Sequence, residues 1–327
     1  MMTGRILVTG GAGYLGRALV AELARTGDPV RIVVGPQDQA GIPEIPELDV
    51  EIVRADVTDA CSIDRAIRGV SSIYHLAGIA SPNSRLGHAI WNVNVLGTYH
   101  VARSALRHGV GRVVHVSSTA AVGYPPDGVV ADESFDVRES VVDNVYAATK
   151  RAGERVMLDF VEHGLEVVVI NPAAVFAPRS GTVRSWQGLL SAARSGLLRV
   201  VPPGGTAVCS ARDFVIGATG AMVKGEVGQR YILATENLTY RRIAELLIDA
   251  VGRRHKVRTA PVGVLRAIGA GNRVVRDLVG GPHAEDALIP ENVELMARQV
   301  YYAPDKAVRE LGIPRVSVPE LISEFIR

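Results

Sequence analysis

Tyr146 stands four residues before Lys150 in the run NVYAATK. On a helix that spacing puts a phenol and an ammonium on one face. A free phenol ionises near pH 10, too high for a base at neutrality. Lowering it by ~3 pH units requires about 4 kcal/mol of preferential phenolate stabilisation. One ammonium at ~4 Å, at an effective dielectric of ~20, supplies about that much. The pair is therefore sufficient for general acid–base work. With nine tyrosines and four lysines in the chain, such a pair arises by chance about one time in ten. Its setting argues against chance: Ser117, Ser118 and Thr119 end a strand-like run just upstream. A hydroxyl there can polarise a carbonyl and share a proton with Tyr146. Thr119 is the expected hydroxyl and Ser118 the second choice.

A second motif lies far from the first. In ILVTGGAGYLGRAL, Gly10, Gly11, Gly13 and Gly16 follow a strand-like run and open a helical one. Glycines there permit a tight turn and let the backbone approach a pyrophosphate, which the helix N-terminus attracts. A nicotinamide dinucleotide is the implied ligand, since it would give the proton site a hydride partner. NAD or NADP is left open. An acid at the end of the second strand would grip a ribose 2′-hydroxyl, and an arginine there suits a 2′-phosphate, but the positions concerned are Val34 and Gly35. Asp38 could swing in from the following loop. Asp56, after the third strand, is expected to accept from the adenine amino group, with Thr58 or Asp59 as the helix cap.

These sites need elements to hold them. Strands are expected at Arg5–Thr9, Val30–Val34, Val50–Arg54, Ser72–Leu76, Arg112–Ser117 and Glu166–Ile170. Helices are expected at Tyr14–Arg25, Ser62–Arg68, Ala89–His108 and Asn144–His163. The strands are rich in valine and isoleucine with little polar alternation, as in a sheet covered on both faces. The alternation predicts an α/β fold with a doubly wound, parallel, Rossmann-type sheet. Residues 1–170 form the expected dinucleotide domain. Residues 171–327 form a smaller C-terminal α/β portion that binds substrate, with some segments returning to the first sheet. There, PAAVFAPRSG and VVPPGG are expected loops. Ser185–Ser195, Val215–Lys224 and Tyr240–Val251 are expected helices, and Tyr231–Ala234 a strand. Pro261–Pro290 is expected to be helical and loop-like.

The 327 residues are 47% hydrophobic and 21% charged, with a net charge of +2. Those values predict a soluble, globular chain with no field to draw in nucleic acid or membrane. A strand-like N-terminus with no charged leader, and no apolar run long enough to span a bilayer, lead to the expectation of a cytoplasmic protein. Cys61 and Cys209 have no ligand-like spacing to each other or to histidine, so no metal is expected.

Taken together, TGGAGYLG, ADVTD, HLAG (His75–Gly78), NVLGT (Asn94–Thr98), VSSTAAVG, YAATK and INPAAVF resemble the extended short-chain dehydrogenase/reductases, in family order over the first half to two-thirds of the chain. The stretch GQRYILATENLTYRRIAELL is similar to the branch of dihydroflavonol-4-reductase-like enzymes and 3β-hydroxysteroid dehydrogenases. The resemblance implies Tyr146 as acid/base, with Lys150 lowering its pKa and binding the nicotinamide ribose. It implies Thr119 as the catalytic hydroxyl. Gly10, Gly13, Tyr14, Leu15 and Gly16 would cradle the cofactor, Asp56 and Val57 its adenine end, and Leu76, Ala77, Gly78 and Asn94 its flank. Asn171 and Pro172 would flank the nicotinamide. Two departures stand out. Gly35 replaces the arginine common in that branch, and Ser210-Ala211-Arg212-Asp213 replaces its His-Val-Asp-Asp run.

The expected activity is interconversion of a ketone or aldehyde with an alcohol on a small molecule. The alternative is a nucleotide-sugar epimerase, dehydratase or 4-ketoreductase using the same site, which needs a diphosphate clamp; Arg179, Arg184 and Arg199 are its candidates. The helices Ala89–His108 and Asn144–His163 resemble those that pair across a two-fold axis in the family, so a homodimer is expected.

Overall fold

The computed structural model describes residues 4–36, 50–176, 184–279, 290–314 and 317–326. Its centre is a seven-stranded parallel sheet in the order Arg230–Leu233, Glu166–Pro172, Arg112–Val116, Val70–His75, Arg5–Thr9, Val30–Val34, Val50–Arg54. Both faces are covered. On one, Leu19, Val20 and Leu23 from the helix Tyr14–Arg25 pack with Phe214, Ala218 and Met222 over Ile6, Val8, Ile32 and Val114. On the other, Ile63, Val101, Ala105 and Met157 from three helices close over Leu7, Ile73, Val113 and Val167. This double covering is why the strands read as continuous apolar runs. Strand order reverses between Arg5–Thr9 and Val70–His75, where Thr9 stands opposite His75. A doubly wound sheet opens its ligand crevice at such a switch point, beyond the strands' carboxyl ends.

Several boundaries differ from the sequence reading for identifiable reasons. The helix expected at Ser62–Arg68 spans Ala60–Ile67, because the Asp59 side chain accepts from the Cys61 amide and starts it early. The helix expected at Val215 starts at Ala211, with Ser210 accepting from the Asp213 amide. The long helix expected at Ala89–His108 is interrupted. It runs as α-helix over Gly87–Trp91, widens to a π-helical turn at Asn92–Leu96, and resumes over Gly97–Arg107.

The C-terminal portion holds more strand than expected. Glu236–Thr239, Gly205–Ser210, Gln299–Tyr302 and Val130–Ala131 form a second sheet in that order, and Ala174–Phe176 also pairs with Gly205–Ser210. Ala174–Phe176 and Gly205–Ser210 fall in or beside the segments read as loops. The strand Arg230–Leu233 returns to the edge of the first sheet. Among the described residues no helix is long and apolar enough to cross a membrane, and no group of His, Cys, Asp or Glu is arranged to hold a metal ion.

Candidate active site

The four N-terminal glycines answer to different constraints. Gly10 has φ +68°, and a Cβ on it would meet the Ala77 amide nitrogen at 2.9 Å. Gly11 is pressed against Ile32, 2.3 Å from where its Cβ would lie, and Gly16 against the Gly10 carbonyl at 2.2 Å. Those three close the turn on itself and onto the neighbouring strand. Gly13 is different. Its backbone is extended (φ −72°, ψ 174°), and the one protein atom near its hypothetical Cβ is the Gly10 oxygen at 3.1 Å. Packing does not demand a glycine there, whereas a group approaching the helix from outside would. Gly13 caps Tyr14–Arg25 with no side-chain hydrogen bond, and the first turn carries no acid. The amides of that turn are thus left for an anion. Leu15 packs inward against the core; the Tyr14 side chain lies outside the described residues.

The crevice continues across the switch point. Thr9 Oγ1 accepts from the Ala77 amide at 3.2 Å, and the Leu76 amide donates to the Thr9 carbonyl at 3.2 Å. Asn94, buried in the π-helical turn, clamps the next backbone step: Oδ1 accepts from the Ile79 amide at 2.8 Å while Nδ2 donates to the Ile79 carbonyl and to Thr149 Oγ1. A Cβ on Gly78 would sit 3.2 Å from Asn94 Oδ1 and 3.7 Å from Lys150 Nζ. Asp56 is not the helix cap, since Asp59 fills that role. Its Oδ1 accepts from the Thr58 amide and hydroxyl at 2.8 Å each, and Oδ2 has no partner among the described residues. Val57 packs against Gly97, and its carbonyl meets His100 Nδ1 at 3.0 Å. Of the cofactor-selecting candidates, Asp38 lies outside the described residues, Val34 ends the second strand and Gly35 follows it. Exposed Arg54 stands opposite Val34 on the edge strand.

Tyr146 and Lys150 lie on the helix Val145–Asp159, which the Asn144 side chain caps by accepting from the Ala147 amide at 2.8 Å. That helix seats closely on the π-helical turn: a Cβ at Gly153 would come 2.3 Å from the Asn94 carbonyl oxygen. Lys150 is buried, and Nζ donates to the Val116 carbonyl at 2.8 Å. Burial lowers the Lys150 pKa to about 8, opposed by the Glu154 carboxylate. Beneath it, His75 bridges Thr9 Oγ1 at 2.7 Å and Thr98 Oγ1 at 3.0 Å. Burial, with the Lys150 charge second, takes His75 down to about 3, and His115 is likewise held well below its ordinary value. Both imidazoles are neutral, so the floor of the site carries one cation.

The hydroxyl against Tyr146 belongs to Ser118, the second choice from sequence. Thr119, the first choice, is buried on the side of the Tyr302 phenol, which itself donates to the Gly123 carbonyl. The short helix Thr119–Val122 accounts for this, because its first residue turns toward the second sheet while Ser118 caps it at the mouth. Tyr146 also departs from expectation. Burial raises its pKa, and the Ser118 hydrogen bond only partly offsets that. The reason is positional: the Lys150 ammonium is engaged by a backbone carbonyl. Asn171 is fully buried and turned away from the crevice, its Nδ2 donating to the Ser118 carbonyl at 3.0 Å and to Glu154 Oε2 at 2.9 Å. Pro172 ends the same strand, also buried.

Around the phenol lies an apolar cluster of Val122, Tyr124, Ala147 and Tyr302, with Phe135, Val141 and Val142 at its margin. Asp213, the residue retained from the family run, is buried and holds Thr235 Oγ1. Of the clamp candidates, Arg199 is exposed; Arg179 and the Arg184 side chain lie outside the described residues. Glu154, one further turn along the helix from Lys150, is a functional candidate that the motifs did not single out; its i+8 spacing from Tyr146 was the available signal.

The turn at Gly13, the clamped Gly78 step and the Lys150 ammonium fit a nicotinamide dinucleotide. When bound, it supplies or accepts a hydride. Comparison with known proteins agrees. The chain is 27% identical over 325 residues to a putative dihydroflavonol 4-reductase of Synechocystis, covering 98% of this chain and 92% of that one. It is 27% identical over 344 residues to a 3β-hydroxysteroid dehydrogenase/Δ5→4-isomerase of Mycobacterium tuberculosis, covering 99% and 90%. The fold matches the UDP-glucose 4-epimerase of Thermotoga maritima with a TM-score of 0.78 at 20% identity, over 98% and 97% of the two chains. A family model matches residues 6–230, the span that contains the glycine turn, the switch-point crevice and the Tyr–Lys pair. The Synechocystis and Mycobacterium relatives are named a reductase and a dehydrogenase; this chain belongs to the NAD dependent epimerase/dehydratase family and is an enzyme.

Proposed function

We propose that the protein interconverts a ketone or aldehyde with an alcohol on an apolar small molecule, with Tyr146 moving the proton at the carbonyl oxygen. The observation that carries this is the state of Tyr146. Its phenol is held protonated above its ordinary value by burial, bonded to the Ser118 hydroxyl, and set among apolar side chains. A protonated phenol beside a second hydroxyl is suited to donate to an oxygen that gains charge as its carbon is reduced. Ser118 orients that oxygen and shares its hydrogen bond. Lys150, protonated below about pH 8, holds a cation beside the Gly78 backbone, where a ribose hydroxyl would need a donor. The half-buried apolar side chains at the margin of that cluster, Phe135, Val141 and Val142, favour a hydrocarbon-rich substrate over a sugar diphosphate, which needs cations to stand in for lost water.

The test is a panel of aliphatic, alicyclic and aromatic ketones with NADH or NADPH, run beside UDP- and dTDP-hexoses with NAD. Net consumption of reduced nicotinamide with an apolar ketone, and no epimer or dehydration product from the hexoses, is the expected result. Hexose conversion without net change in nicotinamide would replace this reading with the epimerase or dehydratase one.

A further inference from the structure

Tyr146, Lys150 and Glu154 occupy successive turns on one stripe of the helix Val145–Asp159. The first two are assigned above. The third is 1% exposed, a carboxylate in the interior of the molecule, and such a group is retained only where its charge is compensated. Its partners are specific. Oε1 pairs with the Arg230 guanidinium at 2.7 Å, and Oε2 accepts from Asn171 Nδ2 at 2.9 Å. The same Nδ2 donates to the Ser118 carbonyl at 3.0 Å. Arg230 sits on the edge strand, with its side chain 32% exposed. The carboxylate thus touches two routes to the reaction centre. One runs through space to Lys150, the other through Asn171 to the backbone of Ser118, whose hydroxyl meets Tyr146.

We propose that Glu154 is a positioning residue for the Tyr–Lys pair: it is the fixed counter-charge that keeps Lys150 an ammonium, and through Asn171 it holds the Ser118 turn against Tyr146. This rests on the assignment of Tyr146 and Lys150 given above. Among the described residues, the groups facing Lys150 from the elements packed on it leave no other anion for the task. His75, on Val70–His75, and His115, on Arg112–Val116, are neutral and buried. Val116 offers a carbonyl. From its own helix come Tyr146 and Glu154. Arg230 stands behind Glu154 and draws on the same carboxylate, so its presence weakens the hold of Glu154 on Lys150. The stack therefore alternates cation, anion, cation from the reaction centre to the sheet edge. Arg230 is the end of the stack open to solvent.

The chain has only four lysines, Lys150, Lys224, Lys256 and Lys306, so a lysine side-chain titration by NMR resolves them individually. Protein labelled with ε-carbon-13 lysine is titrated without cofactor, and the Lys150 resonance is assigned by its loss in Lys150→Met. The wild-type midpoint is expected near 8. Glu154→Gln removes the anion at nearly constant shape and should lower that midpoint by about one pH unit or more. Arg230→Met removes the competing cation and should raise it. Opposite shifts are the signature; a group that only fills space would give none. An unchanged midpoint in both variants overturns the proposal, and so do shifts of the same sign. If Glu154→Gln fails to fold, Arg230→Met at its partly exposed edge position decides alone, and an unchanged or lowered midpoint overturns the proposal. The titration reads Lys150 whether or not the site turns over, so its outcome is separate from that of the Tyr146 assignment, which turnover of Tyr146→Phe reads.

Discussion

Replacing Gly13 with alanine separates ligand space from packing space. The backbone at Gly13 is extended, a conformation open to any residue. Its new methyl would meet only the Gly10 carbonyl oxygen, at 3.1 Å, which calls for a movement of a few tenths of an ångström. Adding the small loss from an alanine at a helix N-cap, the stability change should stay below about 1 kcal/mol. Gly16→Ala is the control. Its methyl would be driven to 2.2 Å from the Gly10 oxygen and 2.7 Å from Gly11 Cα. Backbone lies on both sides and cannot yield, so the cost should be about 1–3 kcal/mol, seen as a fall of several degrees in Tm. For binding, the methyl at Gly13 occupies the approach to the helix amides. Dinucleotide affinity should fall at least tenfold, or about 1.4 kcal/mol. Scanning calorimetry with and without NAD or NADP reads both effects, because a ligand that binds only the folded state raises Tm by mass action. A stable Gly13→Ala protein that binds dinucleotide within threefold of wild type would refute the cradle.

Three further outcomes are expected. Since Lys150 keeps its proton only below about pH 8, dinucleotide affinity should weaken as pH rises from 7 to 9; calorimetric titration should show this, and Lys150→Met should flatten it. With Val34 and Gly35 at the ribose end, the preference between NAD and NADP should be below roughly 100-fold in kcat/KM, or about 2.7 kcal/mol, and Gly35→Arg should move it toward NADP. Discrimination of a thousandfold in steady-state kinetics would point instead to Asp38 or to Arg54 opposite Val34. We also propose a homodimer through the helix Gly97–Arg107 and the turns before it, where Trp91, Leu96 and Tyr99 are 49%, 40% and 40% exposed; light scattering should give twice the chain mass, and Trp91→Glu with Leu96→Glu should halve it.

The parallel sheet was legible because its strands are short valine- and isoleucine-rich runs separated by helical spacing; Val30–Val34 and Val50–Arg54 match to the residue. The glycine turn and the Tyr–Lys pair were legible for a related reason, since both are local in sequence and depend on backbone spacing. The second sheet was not. Its strands are two to six residues long, and the six-residue Gly205–Ser210 adjoins proline and glycine, so no period could develop. The π-helical turn left no sequence mark because Asn92–Leu96 has ordinary helical composition. The choice between Thr119 and Ser118 depends on where a four-residue helix begins, which local propensity does not fix. Glu154 was invisible because a carboxylate on a helix reads as solvated until Arg230 and Asn171 are seen to close over it.

The most direct test of the account is turnover of Tyr146→Phe on a ketone that the wild-type enzyme reduces. The substitution removes one oxygen, leaving the Gly13 turn, Asn94 and Lys150 in place. The account predicts a fall in kcat of at least 100-fold, about 2.7 kcal/mol, with dinucleotide affinity within threefold of wild type. Turnover within threefold of wild type would show that another group moves the proton.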